Sequence, residues 1–591
     1  MRTLLVSLTD HPIALLRGIA ELRGVALATN VRDDAAGQLA AALTEPAATE
    51  TALLACSAAA QRAWAALAAV GRRMPAPAFA RRHGVIRPAG PGKLEREQIW
   101  LQPESPAEEL WYRGLVFRAF ADFGDGPAEY IYIPEDLPAP PGLALAARPT
   151  PAVLPQTQPP AHTRQAGNAL AVDLCTILAA LRDRPARLDF AGRLRQTDVT
   201  YLQGGLLLAE PLRIEFAVTL SRAAGWLTLE TAPRGAAGYG RTVFESQPAT
   251  AWLRATHWEQ MTALFAAWRE AADAIPGRPV AEAGWNDLRR LPELQAEGSW
   301  RNDPLLARRA ILGVLSSLAP ETWYGIGDLI AVIKATDPDF QRPDGNYTGW
   351  YLRDVETGGY LTGFEAWDQV EGRLIRFVIT GPLFWLGAVA LGDAADGRVQ
   401  SFRLTPAGAA WLSDKAPADL PRPAHLTVGE DFVVAAPLLL PLLDRFRLLR
   451  FTEPAQPKDL EGLVDLRGLP PDMPNATRHR ITRGSLARAR NAGVKGEAIL
   501  QFLQRASGGR VPARVAAALS RWDQHGGAVR IQRGAVLRVE DAAVLANLRA
   551  DPAIAPLLGD LLSAQAVLVS ETHLRKLQHA LEELGYTTRV E

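Results

Sequence analysis

A proline-rich stretch divides this chain and argues against a single continuous core. Eight prolines fall between Pro138 and Pro160, in PAPPGLALAARPTPAVLPQTQPP, and the stretch has no hydrophobic periodicity. Proline fixes its own φ and has no N–H to donate, so this composition predicts an extended linker. The chain has 591 residues, which is more than one hydrophobic core usually serves, so several domains are expected.

Two further breaks complete the predicted organisation. One lies near Gly298, and the other is the segment APADLPRP at residues 416–423. The segments between the breaks have the usual size of domains. The predicted domains are residues 1–137, 168–297, 298–418 and 419–591, with residues 138–167 as the linker.

In each of the first two segments, the sequence predicts helices followed by a strand. In the first, a long helix capped by Ser105, with Glu108 completing a capping box, is predicted to run to Phe120. In the second, one amphipathic helix is predicted for the whole of TAWLRATHWEQMTALFAAWREA. The other predicted elements are helices Ala58–Val70 and Pro75–His83 and strands Glu129–Pro134 and Gly225–Leu229.

The third segment fits a winged helix best. Helices are predicted at Pro304–Leu318 and Ile326–Thr336, and Asn346–Thr357 is the candidate recognition helix. The strands LIRFVIT and VQSFRLTP are predicted to flank the loop GDAADGR as a β-wing. The predicted fold class is therefore α+β and predominantly helical, with tandem winged-helix-like domains followed by an α/β domain.

The C-terminal segment alternates helices and strands. Phe432–Ala436 is predicted as a buried strand, Leu438–Leu449 as a helix, and Thr482 as the cap of a helix that ends at Gly493. Pro512 opens a further helix. The helix between Gly493 and Pro512 is predicted to bury an apolar stripe of Ile499, Leu500 and Leu503. The helix that follows Pro512 is predicted to bury a stripe of Val515, Leu519 and Trp522.

The segments ITRGSLARARNAGVKGEAILQFLQRAS, VPARVAAALSRWDQHGGAVRI and VLVSETHLRKLQHALEELGY carry a family resemblance. In this order they resemble the helicase-associated domain at the N-terminus of XPB-type DNA helicases, which bacteria also carry in proteins without an obvious motor. The resemblance covers about 165 residues and implies a role in DNA engagement and partner binding, whereas ATP hydrolysis belongs to separate lobes in that family. Those lobes have no counterpart in this sequence.

Searches for a catalytic or metal site find no converging motif. A phosphate-binding loop needs a glycine-rich turn, a lysine and a Ser or Thr, but Gly92-Lys93 is followed by Leu94, and the Gly493–Ala498 segment also lacks the pattern. The acidic pairs Glu108–Glu109 and Asp337/Asp339 are predicted to be solvated charges. Only two cysteines occur, and the nine histidines lack metal-ligand spacing, so no enzyme activity, cofactor or metal is expected.

Positive charge is concentrated near residue 500 although the chain as a whole is neutral, with 64 basic and 64 acidic residues. Residues 477–533 contain eleven Arg and Lys495 against only Glu497 and Asp523. Guanidinium groups bind phosphate oxygens without reading sequence, so this segment predicts contact with DNA. The candidate DNA-binding residues are Arg478, Arg480, Arg483, Arg488, Arg490, Lys495, Arg510, Arg514 and Arg521.

A second set of candidates comes from the predicted recognition helix. Asn346, Tyr347 and Arg353 would face a major groove, although Arg353 is opposed by Asp354 and Glu356. The alternative for this helix is packing or protein docking. The aromatic residues Trp350, Tyr351, Trp367 and Trp385 are expected in the core.

The sequence therefore supports a non-catalytic, DNA-binding, helicase-associated accessory protein, expected in the cytoplasm because it shows no signal peptide or membrane span. DNA and a separate helicase or nuclease subunit are the expected partners. The alternative is a winged-helix scaffold that docks a helicase or nuclease without touching DNA. An enzyme with an unrecognised site is the third possibility.

Overall fold

The computed structural model describes residues 2–122, 127–139, 154–189, 193–231, 240–271, 284–298, 300–416, 420–455, 476–525 and 534–589. The chain forms two compact units, Met1–Ser485 and Leu486–Glu591. Helix accounts for 49% and strand for 15%, with the strands in small sheets. The prediction of a mixed, predominantly helical protein is therefore confirmed.

The first unit begins with a helical core closed by a small antiparallel sheet. The strands are β1 (Arg73–Pro75), β2 (Phe117–Asp122) and β3 (Pro127–Tyr132), in the order β1-β3-β2. The helices are α1 (Leu4–Thr9), α2 (Ile13–Arg23), α3 (Arg32–Leu43), α4 (Pro46–Leu54), α5 (Ala58–Ala69), α6 (Ala76–His83), α7 (Pro91–Glu97) and α8 (Pro106–Tyr112).

The helix predicted to run to Phe120 is shorter than expected. It begins after the Ser105 cap but ends at Tyr112, and β2 follows from Phe117. Gly114 adopts a φ of 63°, in the left-handed region that ends helices, and Leu115 donates its N–H back to the carbonyl of Leu110 at 3.0 Å. The apolar spacing continues past this glycine, so the sequence pattern alone misplaced the end of the helix.

Glu108 is buried rather than solvated. Its carboxylate does not complete a capping box but accepts hydrogen bonds from the Arg87 backbone N–H at 2.9 Å, the Arg87 Nε at 2.6 Å and the Glu104 backbone N–H at 2.8 Å. Burial alone would raise the pKa of Glu108, but these hydrogen bonds outweigh it and hold the pKa below its usual value. Asp339 is likewise buried and pairs with Arg81. The prediction of solvated acids is wrong for both carboxylates.

A second and larger core occupies the middle of the first unit. Its sheet β5-β7-β6 consists of Arg187–Leu188 (β5), Leu227–Thr231 (β6) and Gly240–Phe244 (β7). Its helices are α9 (Ala169–Asp183), α10 (Gln196–Gln203), α11 (Pro211–Ala223), α12 (Ser246–Arg254) and α13 (His257–Glu270).

The single amphipathic helix predicted here is two helices. Thr256 separates α12 from α13, and it forms a reciprocal capping box with Glu259 that starts a new helix. The predicted strand at Gly225–Leu229 is confirmed by β6, which begins two residues later at Leu227.

The same core continues through α14 (Pro304–Leu315) and α15 (Ile326–Thr336). Its four-stranded sheet has the order β4-β11-β12-β9, from strands His162–Arg164 (β4), Trp323–Gly325 (β9), Val389–Asp393 (β11) and Val399–Leu404 (β12). The hairpin predicted around GDAADGR is the β11–β12 pair, and α17 (Pro406–Leu412) follows it. The end of the proline-rich stretch packs against this core, because Leu154 is buried and Thr157 donates its N–H to the carbonyl of Trp323 at 2.9 Å.

LIRFVIT was predicted as a strand but is helical. It lies in a continuous helical stretch made of Asp368–Gly372, α16 (Arg373–Val378) and Ile379–Leu383. A short, mostly apolar run is compatible with a buried helix as well as a strand. The surrounding core favours the helix here, because most side chains of the stretch 368–383 are buried.

The first unit ends in a sheet of order β13-β14-β16-β15, formed by Thr427–Val428 (β13), Val433–Pro437 (β14), Glu453–Pro454 (β15) and Ala476–Arg480 (β16). The predicted strand Phe432–Ala436 matches β14 to within one residue. The predicted helix Leu438–Leu449 is confirmed in part, since α18 covers Leu442–Leu448.

The second unit is small and contains both helices and sheet. The helix α19 (Arg483–Asn491) enters it, and α20 (Gly496–Ala506) and α21 (Ala513–His525) follow. The sheet β17-β19-β18 consists of Ala535–Arg538 (β17), Leu561–Ser563 (β18) and Ala566–Val569 (β19). With α22 (Ala542–Ala550) and α23 (Leu574–Glu583), it encloses a core of Leu545, Leu548, Ile554, Val567, Val569, Leu577 and Leu581.

Replacing Glu108 by Gln should lower the free energy of unfolding by about 3 kcal/mol at neutral pH, because it leaves buried donors without their carboxylate. Since the folded pKa of Glu108 is depressed, its contribution is present above the ordinary glutamate pKa and is lost as the pH falls through the folded value. Urea unfolding at neutral and acidic pH measures both effects. Glu104→Gln, at an exposed acid that pairs with the same arginine, is the control and should cost less than about 1 kcal/mol. Equal costs would contradict this account.

Candidate nucleic-acid interface

Helix α19 starts at a reciprocal cap. The Thr482 hydroxyl accepts from the Ser485 N–H at 2.9 Å, and the Ser485 hydroxyl accepts from the Thr482 N–H at 3.0 Å. Gly493, with a φ of 79°, lies just beyond the end of the helix. The predicted cap at Thr482 and the predicted end at Gly493 are confirmed.

The first turn of α20 is held by an acidic side chain of α21. The Asp523 carboxylate accepts from the N–H groups of Gly496, at 3.0 Å, and Glu497, at 3.4 Å. Gly496 is required for this contact, because a Cβ there would lie 2.8 Å from the carbonyl oxygen of Leu519. One of the two acids among the basic residues is therefore committed to holding two helices together.

The apolar stripes of α20 and α21 face inward as predicted, except that Leu500 of α20 is only half-buried. Ile499, Leu503, Val515 and Leu519 are buried, at 0–1% exposure. Trp522 is half-buried, and the Arg490 guanidinium lies 5.8 Å from its ring centroid. Burying these stripes leaves the polar sides of the helices to solvent.

Most of the predicted basic residues are exposed. The exposed candidates on or between the helices are Arg483, Arg488, Arg490, Lys495, Arg510, Arg514 and Arg521, and Arg505 is exposed as well. Arg478 and Arg480 differ, because they are half-buried in β16, inside a sheet of the first unit. Arg530 and Arg533 lie outside the described residues.

Few carboxylates neutralise these groups. Among the described residues, no carboxylate oxygen lies within 4.0 Å of the charged nitrogens of Arg478, Arg483, Arg490, Lys495, Arg510 or Arg521. Arg510 instead donates through Nε to the carbonyl of Ser507 at 3.4 Å. The positive charge therefore faces solvent.

The basic residues are spread over several helix sides. Arg483 and Arg490 are seven residues apart on α19 and share one side, and Arg514 and Arg521 do the same on α21. Arg505 lies away from the buried stripe of α20. The helices thus place pairs of guanidinium groups along two of their sides rather than all of them on one face.

The predicted recognition helix is wrong. Asn346 lies in a turn, where its side chain accepts from the N–H groups of Thr348, at 2.8 Å, and Gly349, at 3.0 Å. Residues Tyr351–Asp354 form a strand, β10, that pairs with β8 (Leu294–Glu297). An Asx turn competes with helix formation, which explains why the sequence leaves the helical path here.

The three candidates from that segment have structural contacts. Tyr347 is buried, its hydroxyl 2.7 Å from the carbonyl oxygen of Pro338. The Arg353 Nε lies 3.0 Å from Glu297 Oε1, so its charge is already paired. Neither side chain is available to a DNA groove, and Asn346 is occupied by its own turn.

Two aromatic residues were misjudged in the same segment. Trp367 and Trp385 are in the core as expected, but Tyr351 is 58% exposed and Trp350 only half-buried. The alternation of Tyr351, Leu352 and Arg353 before a Gly-Gly turn was the sequence signal for a strand with one exposed face.

The two Gly-Lys segments, which the sequence predicts to be no phosphate-binding loops, lie in or beside helices. Lys93 lies within α7, where its Nζ is 3.8 Å from Glu97, and not in a phosphate-binding turn. The Gly493–Ala498 segment runs from just after α19 into the first turn of α20. Within the described ranges, no group of three or more His, Cys, Asp or Glu could hold a metal ion. A search of those ranges for a helix long and apolar enough to cross a membrane also finds none.

A family model for the helicase conserved C-terminal domain matches residues 471–563. The match covers β16, the helices α19 to α22 and the strands β17 and β18, and it spans well under half of the chain. It indicates a helicase-associated region in the C-terminal part of the protein. No curated protein matches the chain.

Replacing Asp523 by Ala should loosen the first turn of α20, because two backbone N–H groups lose their acceptor, at a cost of about 1 kcal/mol. Hydrogen exchange on the full chain should then show faster exchange at Gly496 and Glu497. Asp541→Ala, which removes the corresponding acceptor of the Ala543 N–H in α22, is the control and should affect only α22. Unchanged exchange in α20 would show that the contact is not stabilising.

Proposed function

We propose that this protein is a non-catalytic, DNA-binding accessory protein that acts with a helicase, and that the helices of its C-terminal unit contact the phosphate backbone. The observation that carries the proposal is the set of exposed basic side chains on α19, α20 and α21, within the region that matches a helicase family model. The match supports a helicase-related role, and the exposed charge supports contact with phosphate.

The chemistry of these side chains suits backbone contact. Guanidinium groups donate in pairs to phosphate oxygens, and such contacts add affinity without sequence readout. The paired positions Arg514 and Arg521, on one side of α21, could meet successive phosphates along a strand. Because binding releases counterions, it should weaken as salt rises.

The narrower resemblance to the N-terminal domain of XPB-type helicases remains part of this proposal. The succession of three helices, a strand, a helix, two strands and a final helix from α19 to α23 supports it. The same resemblance, together with the missing phosphate-binding motif, supports a bacterial accessory protein that works beside a separate motor.

A second candidate function is that of a protein-docking scaffold. The order α14, β9, α15, helical stretch 368–383 and hairpin β11–β12 supports a winged-helix module in the first unit. In a DNA-binding winged helix the third helix enters the major groove. Here that helix is the stretch 368–383, and most of it is buried, with Val378, Ile379 and Leu383 at 0–1% exposure. A covered third helix favours packing and docking over readout for this module.

Reversing the charge of Arg514 and Arg521 to Glu should weaken DNA binding of the full chain by about tenfold or more, about equally on different sequences, because two phosphate contacts become repulsive. Fluorescence anisotropy at low salt measures this. Arg398→Glu, at a residue 86% exposed in the β11–β12 loop, is the matched control and should have little effect.

The same experiment separates the two candidate functions. If the chain does not bind DNA even at low salt, but retains a helicase or nuclease subunit in a defined pairwise binding assay, the scaffold is favoured and the DNA-binding proposal fails. If Arg398→Glu weakens binding as much as the α21 variant, the assignment of the interface to α21 is wrong.

The full chain with ATP, magnesium and single-stranded DNA should release no phosphate above background, because no Gly-Lys pair is followed by Ser or Thr in a phosphate-binding loop. A coupled phosphate assay measures this, with Lys93→Ala as the control for contaminating activity. Release that DNA stimulates and that Lys93→Ala abolishes would overturn the non-catalytic assignment.

A further inference from the structure

The outer face of the β8–β10 pair carries exposed aromatic side chains. Tyr351 is 58% exposed and Tyr360 is 53% exposed, whereas Leu352 and Asp354 of the same strand are buried at 1% and 5%. Because side chains alternate across a strand, Tyr351 and Arg353 share the outer face. The rings of Tyr351 and Tyr360 are therefore held at the surface instead of being buried in the core.

Tyr360 is fixed in place on this face. Its hydroxyl donates to Glu297 Oε2 at 2.8 Å and accepts from Arg353 Nη2 at 2.9 Å. The Arg353 guanidinium also lies 4.7 Å from the ring centroid. The ring is thus positioned in advance, so little conformational entropy would be lost on binding.

A stacked pair of tryptophans lies beside Tyr351. The rings of Trp300 and Trp350 are 5.0 Å apart and tilted by only 15°, and Trp300 donates from Nε1 to the carbonyl oxygen of Tyr351 at 3.3 Å. Arg289 covers Trp300 at 4.7 Å, and Arg342 covers Trp350 at 3.9 Å. Both tryptophans are half-buried. We call Trp300, Trp350, Tyr351 and Tyr360 the aromatic ribbon.

The charges around the aromatic ribbon differ between its two ends. Arg289 and Arg301 are exposed at the Trp300 end, and no described carboxylate pairs with Arg301. Glu293 and Glu356 are exposed at the other end, where Val355 donates to the carbonyl of Glu293 at 2.9 Å. A negatively charged backbone would therefore be attracted to the Trp300 end.

We infer that the aromatic ribbon binds single-stranded nucleic acid, with bases stacking on Tyr351 and Tyr360 and phosphates near Arg289 and Arg301. Every base has a π-face, so stacking on exposed rings is tolerant of sequence. In a duplex both faces of each base are already stacked, and the aromatic ribbon would therefore discriminate single strands from duplex. This inference rests on the proposed function and adds a strand preference that the basic helices cannot supply.

The test compares the binding of the full chain to an oligothymidylate and to a duplex of equal length by fluorescence anisotropy. The double variant Tyr351→Ala and Tyr360→Ala should weaken single-strand binding by about tenfold or more, while duplex binding changes by less than about twofold. Tyr351→Phe with Tyr360→Phe keeps the rings and should restore most of the affinity. Quenching of tryptophan fluorescence by the oligothymidylate is expected in the wild type and should diminish in the alanine variant.

Tyr201→Ala is the matched control. Tyr201 is 43% exposed, with the Arg184 guanidinium 4.5 Å from its ring centroid, so it resembles Tyr360 but lies outside the aromatic ribbon. Its replacement should leave both affinities unchanged. An equal loss in this variant would overturn the inference, because exposed tyrosines in general would then be responsible.

The remaining outcomes also decide the matter. If the alanine variant binds single strands as well as the wild type does, or loses single-strand and duplex binding equally, the inference is wrong.

A synthetic peptide of residues 138–160 that binds the wild type but not the alanine variant, with single-strand binding unaffected, would show that the aromatic ribbon is a site for proline-rich peptide. If the chain binds no nucleic acid, the proposed function fails as well, whereas DNA binding that depends on α21 but not on the tyrosines overturns this inference alone.

Discussion

The cost of removing a guanidinium group from water governs where this protein places its arginines. Among the described residues of the first unit, four arginines are buried. Three of them lie against a carboxylate: Arg213 with Asp173, Arg308 with Asp287 at 2.7 Å, and Arg342 with Glu371 at 2.6 Å. The only acidic residues in the helices α19 to α21 are Glu497 and Asp523, and the Asp523 carboxylate accepts a hydrogen bond from the first turn of α20. With so few carboxylates in these helices, their arginines stay on the surface, where the positive charge meets solvent.

Arg445, the fourth buried arginine, forms no ion pair within 4.0 Å with a described carboxylate. It is 1% exposed, and its guanidinium donates to the backbone carbonyls of Ala436, at 3.2 Å, and Pro437, and to the hydroxyl of Thr477. Burial lowers the pKa of Arg445 and lowers that of the neighbouring His479 to about 3. Holding one such cation takes two strand carbonyls and a hydroxyl. A whole cluster could not be accommodated in this way, which explains why the basic helices remain exposed.

The sequence predicted the local structure of the basic helices well because their ends are encoded by short-range chemistry. Thr482 and Gly493 mark the ends of α19 through a side-chain cap and a left-handed glycine, and both signals lie within two residues of the helix in the sequence. The failures occurred where distant contacts decide. The run Leu374–Thr380 is mostly apolar, and the surrounding core makes it a helix. Tyr351 seemed a core residue by type, but its exposure depends on the pairing of β10 with β8, some 55 residues earlier in the chain.

We propose two kinds of binding surface in a chain whose C-terminal region matches a helicase family model. The basic helices α19 to α21 would attract phosphate, and the aromatic ribbon would stack bases. The salt dependence of DNA binding by the intact protein decides whether phosphate contacts by these guanidinium groups hold the complex together. If exposed guanidinium groups make the contact, the logarithm of the association constant should fall linearly with the logarithm of the salt concentration, with a slope of about −3 or steeper. A slope near zero, or no binding at the lowest salt concentration, would contradict this proposal.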